Sequence, residues 1–405
     1  MSVAGLGRLA VLGIARGVAS ALGLLAVLLV ARALSPEQLG RWSLALAIQG
    51  YALHLGEFGL RSVVTTEAAR AGRRLPELLA RYLCLRLAMT ALALALVVLG
   101  CALWHPADLP LVALVALSIL PIALQLDWLA LVDGRIWLAS ALLLARPIVL
   151  LLLLALWPGA LDPAGVALCF LTAWAVAAVL SWDALRRPAP DRIGTLPSVA
   201  RMMRRGGCLA GVTISNQLQL SADLLVVGWV LGAAAAGDYW LAGQVLVAGL
   251  LFANAAGQMA LARLPGLTRE PDRFATAMAR ETARVMAVAV MGAAVAVLAG
   301  PVLFSPLFGA EHAGAAAILP WLLPWFVLQH LTTMFQAGLT ACGRESAVLR
   351  ANLLAAAALV PALMMAALVG SVVAFALARS VAETTRLTAL LVTLNPHFRD
   401  VTASR

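Results

Sequence analysis

Four polar side chains recur along one face of an apolar stretch: Tyr51, His54, Glu57 and Arg61. Their spacing of three, three and four residues puts them on a single helical stripe. Glu57 and Arg61 also form an i,i+4 pair in the favourable acid-before-base order. A carboxylate, a guanidinium and an imidazole in this arrangement can line a cavity that meets an anionic headgroup or passes a proton, or they can neutralise one another as a structural pair. Their surroundings give them weight, because a charge near the centre of an apolar span costs roughly 2.5–3.5 kcal/mol on insertion scales and usually faces a cavity or a partner.

Other ionisable groups sit inside apolar runs as well. Arg16 lies at a similar depth in the first run, beside the stripe or snorkelling toward the interface. Arg146 falls near the centre of its run, too deep to snorkel, and Asp127 is a plausible partner for it. Arg86 sits close enough to a run's end to read as interfacial. In the second half, Thr213, Asn216, Gln219 and Asp223 form the counterpart stripe, suited to a sugar or to holding helices together. Gln244, Asn254, Gln258, Gln329, His330 and Gln336 add further hydrogen-bonding capacity, and Arg379–Glu383 reads as a structural i,i+4 pair. His330 is a candidate for proton coupling because imidazole titrates near neutral pH. The candidate substrate-cavity set is therefore Arg16, His54, Glu57, Arg61, Asp127, Arg146, Asn216 and Asp223. No catalytic, metal or cofactor-binding residue is assigned: the sequence has no phosphate-binding loop, HExxH, CxxC or acidic metal cluster. That leaves coupling to H+ or Na+ open and points away from an enzyme.

The elements that must position these groups are membrane helices. Hydrophobic residues make up 63% of the chain and charged ones 12%, against an apolar share of about 45–50% in soluble domains; mean hydropathy is +0.97. The runs are about 20 residues long, the length of a helix that crosses the hydrocarbon core, and they lack the alternating pattern of a membrane barrel. About twelve spans fit: 9–31, 42–66, 81–104, 109–132, 136–157, 164–184, 206–230, 237–262, 280–303, 314–340, 346–368 and 370–392. The net charge of +10 is carried by Arg alone, without a single Lys. Its distribution by membrane side excludes a nucleic-acid partner. Arg70–Arg81, Arg135, Arg186–Arg205, Arg263–Arg280, Arg344, Arg350, Arg399 and Arg405 share one side, which the positive-inside rule makes cytoplasmic together with both termini. Trp104, Trp157, Trp229 and Trp240 mark the other boundary. The five cysteines are scattered and read as small buried residues.

A connection of the type "ARALSPEQLGRW" (Ala31–Trp42) recurs near mid-chain as "GWVLGAAAAGDYW" (Gly228–Trp240). A constant offset carries Leu34 onto Leu231, Gly40 onto Gly237 and Trp42 onto Tyr239. This predicts a duplicated unit: an N-terminal six-helix lobe at 1–185, a basic cytoplasmic linker at 186–205, and a C-terminal six-helix lobe at 206–405. An even number of helices in each half makes the repeats parallel, around a central cavity that can open to alternate sides.

The stretch "GLLAVLLVARALSPEQLGRWSLALAIQGYALHLGEFGLRSVVTTEAAR" resembles the opening of the polysaccharide transporters, the O-antigen and exopolysaccharide flippase branch of the MOP superfamily, and "DLLVVGWVLGAAAAGDYWLAGQVL" (Asp223–Leu246) resembles the start of that family's second half. The resemblance implies a MATE-like all-α fold in the bacterial inner membrane. It also implies a flippase that moves a polyprenyl-diphosphate-linked oligosaccharide, in lipopolysaccharide or exopolysaccharide biosynthesis, from the cytoplasmic to the outer face. Its partners would be the lipid-linked oligosaccharide, membrane lipids, and a glycan polymerase or export proteins. The alternative is a cation-coupled exporter of small amphipathic molecules, of the multidrug and toxin extrusion type. That activity calls for an acidic, aromatic-lined cavity, whereas aromatics here are only 6%.

Overall fold

The computed structural model describes residues 3–185, 195–268 and 270–403. Arg186, Arg187, Arg192, Arg269 and Arg405 lie outside the described residues, as do the side chains of Gln258, Arg263 and Arg399. The described chain is helical throughout, with no strand among the described residues. In chain order the helices are α1 (Val3–Ala33), α2 (Pro36–Glu57), α3 (Leu60–Ala71), α4 (Leu75–Trp104), α5 (Leu109–Leu117), α6 (Ile119–Ala123), α7 (Asp127–Val132) and α8 (Ile136–Ala155). They continue with α9 (Pro163–Ser181), α10 (Val199–Leu231), α11 (Ala233–Arg263), α12 (Pro271–Phe308), α13 (Ala313–Ala341), α14 (Glu345–Val369) and α15 (Val372–Ala403). Backbone groups in a bilayer must be satisfied within the chain, which is why apolar runs of this length become helices.

Among the described residues, nine spans are long and apolar enough to cross a membrane. The expected spans 42–66, 206–230 and 370–392 form helices but are not among them. These are the segments that carry the polar stripes and the Arg379–Arg386 charges, so interior polarity lowers their hydropathy. Two expected spans are also broken. The segment 42–66 is two helices, α2 and α3, separated at Phe58 and Gly59, whose φ angles are +44° and +64°. The segment 109–132 is split into α5, α6 and α7: Ser118 turns its hydroxyl back onto the Val115 carbonyl at 2.6 Å, and Pro121 removes one donor from the ladder.

The chain forms two compact units, Met1–Leu34 with Arg41–Gln217, and Ser35–Gly40 with Leu218–Arg405. In the first unit α1 packs on α8, α8 on α9, and α5 on α9, while α3, α4 and α7 close around a core of Leu60, Val64, Leu78, Tyr82, Trp128 and Leu129. In the second unit α11, α12 and α15 pack on α13, and α14 packs on α15, around Phe274, Met278 and Met334 on one side and Leu339, Ala351 and Leu390 on another.

The duplicated connection acquires a physical reason in this second unit. A Cβ on Gly40 would collide with the carbonyl of Ala233, and one on Gly237 with the carbonyl of Pro36. Both equivalent glycines exist because the two copies of the connection touch backbone to backbone, which only glycine permits.

A broken helix with buried charges

The stripe on α2 stops at the helix break. The Phe58 amide closes the last turn on the His54 carbonyl at 3.0 Å, and the next helix starts from the Gly59 carbonyl, which accepts from the Val63 amide. A left-handed non-glycine residue such as Phe58 costs of order 1 kcal/mol or more and persists only where its surroundings hold it. Here α10 supplies the hold. A Cβ on Gly206 would come within 2.5 Å of the Phe58 carbonyl oxygen, and one on Gly59 within 2.5 Å of the Gly206 carbonyl oxygen.

The break redirects the charges. Glu57 and Arg61 do not form the i,i+4 pair that continuous helical spacing suggests, because the helix does not run between them. Arg61 donates through Nη2 to both carboxylate oxygens of Asp127, at 2.9 and 3.1 Å. Glu57 lies 3.7 Å from the Nη1 of Arg86. Arg86 is buried within the protein, its side chain 2% exposed. It donates to the Tyr82 hydroxyl at 3.1 Å and to the Ile122 carbonyl at 3.5 Å, and Tyr82 packs edge-on against Trp128. Two acids and two arginines therefore balance across α2, α3, α4 and α7. The inner part, Arg86 with Tyr82, is sealed, whereas Glu57, Arg61 and Asp127 keep 24%, 34% and 27% of their side-chain surface open. The accessible pair, Arg61 with Asp127, is the part of the cluster that can exchange partners with a ligand.

The other candidates of this unit are dispersed. Gln217 of α10 hydrogen-bonds His54. Asn216 is half-buried on the same helix, and Arg16 is on an exposed face of α1. Arg146 pairs with neither Asp127 nor any other described acid; its guanidinium lies over the Trp174 ring, 4.7 Å from the centroid. Trp174 in turn packs edge-on with Phe170, and Phe170 with Trp42.

Asp223 belongs to the second unit and is 1% exposed. It accepts from the Tyr239 hydroxyl at 2.6 Å and from Arg379 at 3.2 Å. The Arg379 guanidinium stacks 3.7 Å from the centroid of Trp325. The expected Arg379–Glu383 pair is thus replaced by Arg379–Asp223, while Glu383 lies 3.7 Å from Arg386. With its amide nitrogen turned toward Glu383, Gln329 reaches both carboxylate oxygens at 3.0 Å. His330 is fully buried, and its Nδ1, which must carry the proton, donates to the Phe326 carbonyl at 2.8 Å. Gln219 donates to the Asn352 carbonyl at 3.0 Å, and Gln336 to its side-chain oxygen at 3.3 Å. Gln219 and Asp223, the part of the stripe in the second unit, are therefore tied into helix–helix contacts, with the acid paired to Arg379. Among the described residues no group of His, Cys, Asp or Glu side chains is arranged to hold a metal ion.

Tyr82, Trp174 and Tyr239 do not stand out as site residues in the amino-acid order, where Arg86 reads as interfacial. The signal for Arg86 and Tyr82 was available in their i,i+4 spacing. For Tyr239, equivalence with Trp42 in the duplicated connection hid its hydroxyl.

Broken helices, charges buried in pairs and two helical units define an all-α, multi-pass membrane protein with the MOP-superfamily fold. The chain is similar to the inward-facing conformation of a multidrug-resistance MATE-family transporter of that superfamily, with a TM-score of 0.73 and 15% identity over 95% of each chain. It is similar to the lipid II flippase MurJ in an inward closed conformation, with a TM-score of 0.72 and 12% identity over 97% of this chain and 90% of that one. A MOP-superfamily transporter from Pyrococcus furiosus, described as having a binding pocket of reversed polarity, matches with a TM-score of 0.66 and 14% identity over 98% of this chain and 96% of that one. Among curated proteins no match is found. The sequence profile of the polysaccharide biosynthesis protein family matches residues 8–262. The chain belongs to that family.

Proposed function

We propose that the chain is a flippase that carries a polyprenyl-diphosphate-linked oligosaccharide from the cytoplasmic to the outer face of the bacterial inner membrane. The family supports a role in polysaccharide biosynthesis, and the fold is one in which two lobes can give alternating access to a site between leaflets. The observation that carries the reading is the Arg61–Asp127 pair beside the α2–α3 break: a guanidinium between apolar helices, partly open and held by a carboxylate that a stronger anion can displace. A diphosphate would take Arg61 from Asp127, because phosphate can accept both arms of the guanidinium fork whereas Asp127 is held through Nη2 alone. Arg16 and Arg146 would add positive potential, while His54, Asn216 and Gln217 would hydrate the glycan. The arginine-rich stretch 186–205 and both termini would lie on the cytoplasmic side by the distribution of arginine. A polymerase or export machine would receive the product on the outer face.

The test is sidedness. In cells depleted of the protein, lipid-linked oligosaccharide should accumulate facing the cytoplasm while surface glycan falls. Unchanged export with no inward-facing accumulation overturns the reading.

A further inference from the structure

The arginine-rich end of the first unit holds a cluster that the proposed transport site does not use. Glu67, near the end of α3, is 9% exposed, and two arginines from different helices converge on its Oε1. Arg205 of α10 donates to that oxygen through Nη1 at 3.1 Å, and the Nη1 of Arg70, one turn further along α3, lies 3.8 Å from it. Sharing one oxygen keeps the two guanidiniums close together. A guanidinium carries five N–H donors and no acceptor, so one carboxylate cannot satisfy both. Donors on each side chain stay open, at 55% exposure for Arg205 and 63% for Arg70.

The surroundings concentrate positive charge. Arg201 is exposed one turn before Arg205 on the same face of α10, and like charges at that spacing repel. The first turn of α10 holds no acid, although the partial positive charge of a helix N-terminus favours one. Glu77, at the start of α4, is engaged by Arg74 at 2.9 Å. The start of α10 is not free to swing away from α3, because Met202 is fully buried in the core and Arg81 donates to the Pro197 carbonyl at 3.2 Å. The span Leu75–Trp104 follows Arg70 after one tight turn. The cluster therefore sits at an end of the apolar region, where lipid phosphates lie.

We propose that Arg70 and Arg205, spaced by Glu67, clamp the phosphate of an anionic glycerophospholipid, with Arg201 beside them. Glu67 is a positioning residue: it sets the gap between the two guanidiniums and leaves their outer donors to the lipid. A phosphate accepts the guanidinium fork through two oxygens at once, and arginines next to a membrane span are drawn to anionic lipid. The acyl chains stay beside the apolar helices that follow. The clamp is separate from the Arg61–Asp127 pair and stands without the flippase reading.

The experiment uses full-length protein in neutral detergent micelles, titrated separately with dioleoyl-phosphatidylglycerol, dioleoyl-phosphatidylcholine and inorganic pyrophosphate, with bound forms resolved by native mass spectrometry. One phosphatidylglycerol should bind at least about tenfold more tightly than phosphatidylcholine, whose choline meets the arginines with like charge. R205Q and R70Q should each weaken that binding at least about tenfold, the effect of losing a hydrogen bond to a charged group. R204Q removes the same charge from the same helix at an exposed position and should cost no more than about twofold. E67Q separates a clamp from a diffuse basic surface. It raises the local charge by one, so a diffuse surface would hold phosphatidylglycerol as tightly or more tightly, whereas a clamp without its spacer should bind at least about threefold more weakly. If E67Q fails to fold, the comparison of R205Q with R204Q decides. Equal losses in R204Q and R205Q, binding in E67Q that is unchanged or tighter, or phosphatidylcholine bound as tightly as phosphatidylglycerol overturns the clamp. Pyrophosphate that binds as tightly as phosphatidylglycerol and follows the same variants overturns the lipid and assigns the site to a soluble phosphate.

Discussion

Arg379 gives the sharpest energetic prediction. In R379M the thioether occupies the space of the guanidinium stem over Trp325, so little volume is lost, but Asp223 stays buried at 1% exposure with only the Tyr239 hydroxyl and the Leu224 amide as partners and no positive charge beside it. At 3.2 Å and an effective dielectric constant of about 20, the lost attraction is of order 5 kcal/mol before desolvation is subtracted. Breaking a buried pair by removing one partner costs about 3–5 kcal/mol, so R379M should lose that much unfolding free energy, measured by denaturant titration in mixed micelles. The double variant D223L/R379M removes both charges and should lie within about 1 kcal/mol of wild type, because apolar replacement of a whole buried pair is often neutral. The coupling energy of the cycle should then exceed about 2 kcal/mol, in the range that contacting residues show. Additive losses, or an R379M cost below about 1 kcal/mol, would refute the idea that Arg379 exists to neutralise Asp223.

The first unit yields three further expectations. R61Q removes a pair whose side chains are 34% and 27% exposed, so stability should fall by no more than about 1 kcal/mol, whereas glycan export at equal protein level should fall at least about tenfold, roughly 1.4 kcal/mol of lost transition-state binding; export within twofold of wild type would remove Arg61 from the site. Y82F deletes a hydrogen bond to a buried charge and should cost about 1.5–3 kcal/mol in the same unfolding assay. G206A puts a methyl against the Phe58 carbonyl; forcing that contact apart should disturb the α2–α3 break and lower both stability and export, whereas wild-type values for both would show that the break is not held from α10.

Much of the architecture could be read from the amino-acid order because it rests on local physics. Apolar run length gives the membrane helices, and the Gly40 and Gly237 repeat marks a duplicated connection whose glycines do meet. The polar groups were harder to read because their partners are set by tertiary structure. The Glu57 to Arg61 spacing assumes a continuous helix, and Gly59 gives only a weak hint of the break that sends Arg61 to Asp127. Arg379 and Glu383 satisfy the same spacing on an unbroken helix, yet a buried carboxylate on another helix, Asp223, outcompetes the neighbour one turn away. Arg86 reads as interfacial when its depth is counted from the end of a hydrophobic run, whereas Glu57, the Tyr82 hydroxyl and the Ile122 carbonyl, from three different helices, surround its guanidinium.

The central claim, that this chain moves the headgroup of a lipid-linked oligosaccharide across a bilayer, is tested most directly in reconstituted vesicles. Purified protein would be placed in liposomes holding a fluorescent polyprenyl-diphosphate oligosaccharide, and an impermeant quencher added outside. Wild-type protein should expose the inner-leaflet pool to the quencher over minutes, and R61Q should slow that exposure at least about tenfold. A pool that stays protected, or one that becomes accessible equally fast with R61Q, would contradict it.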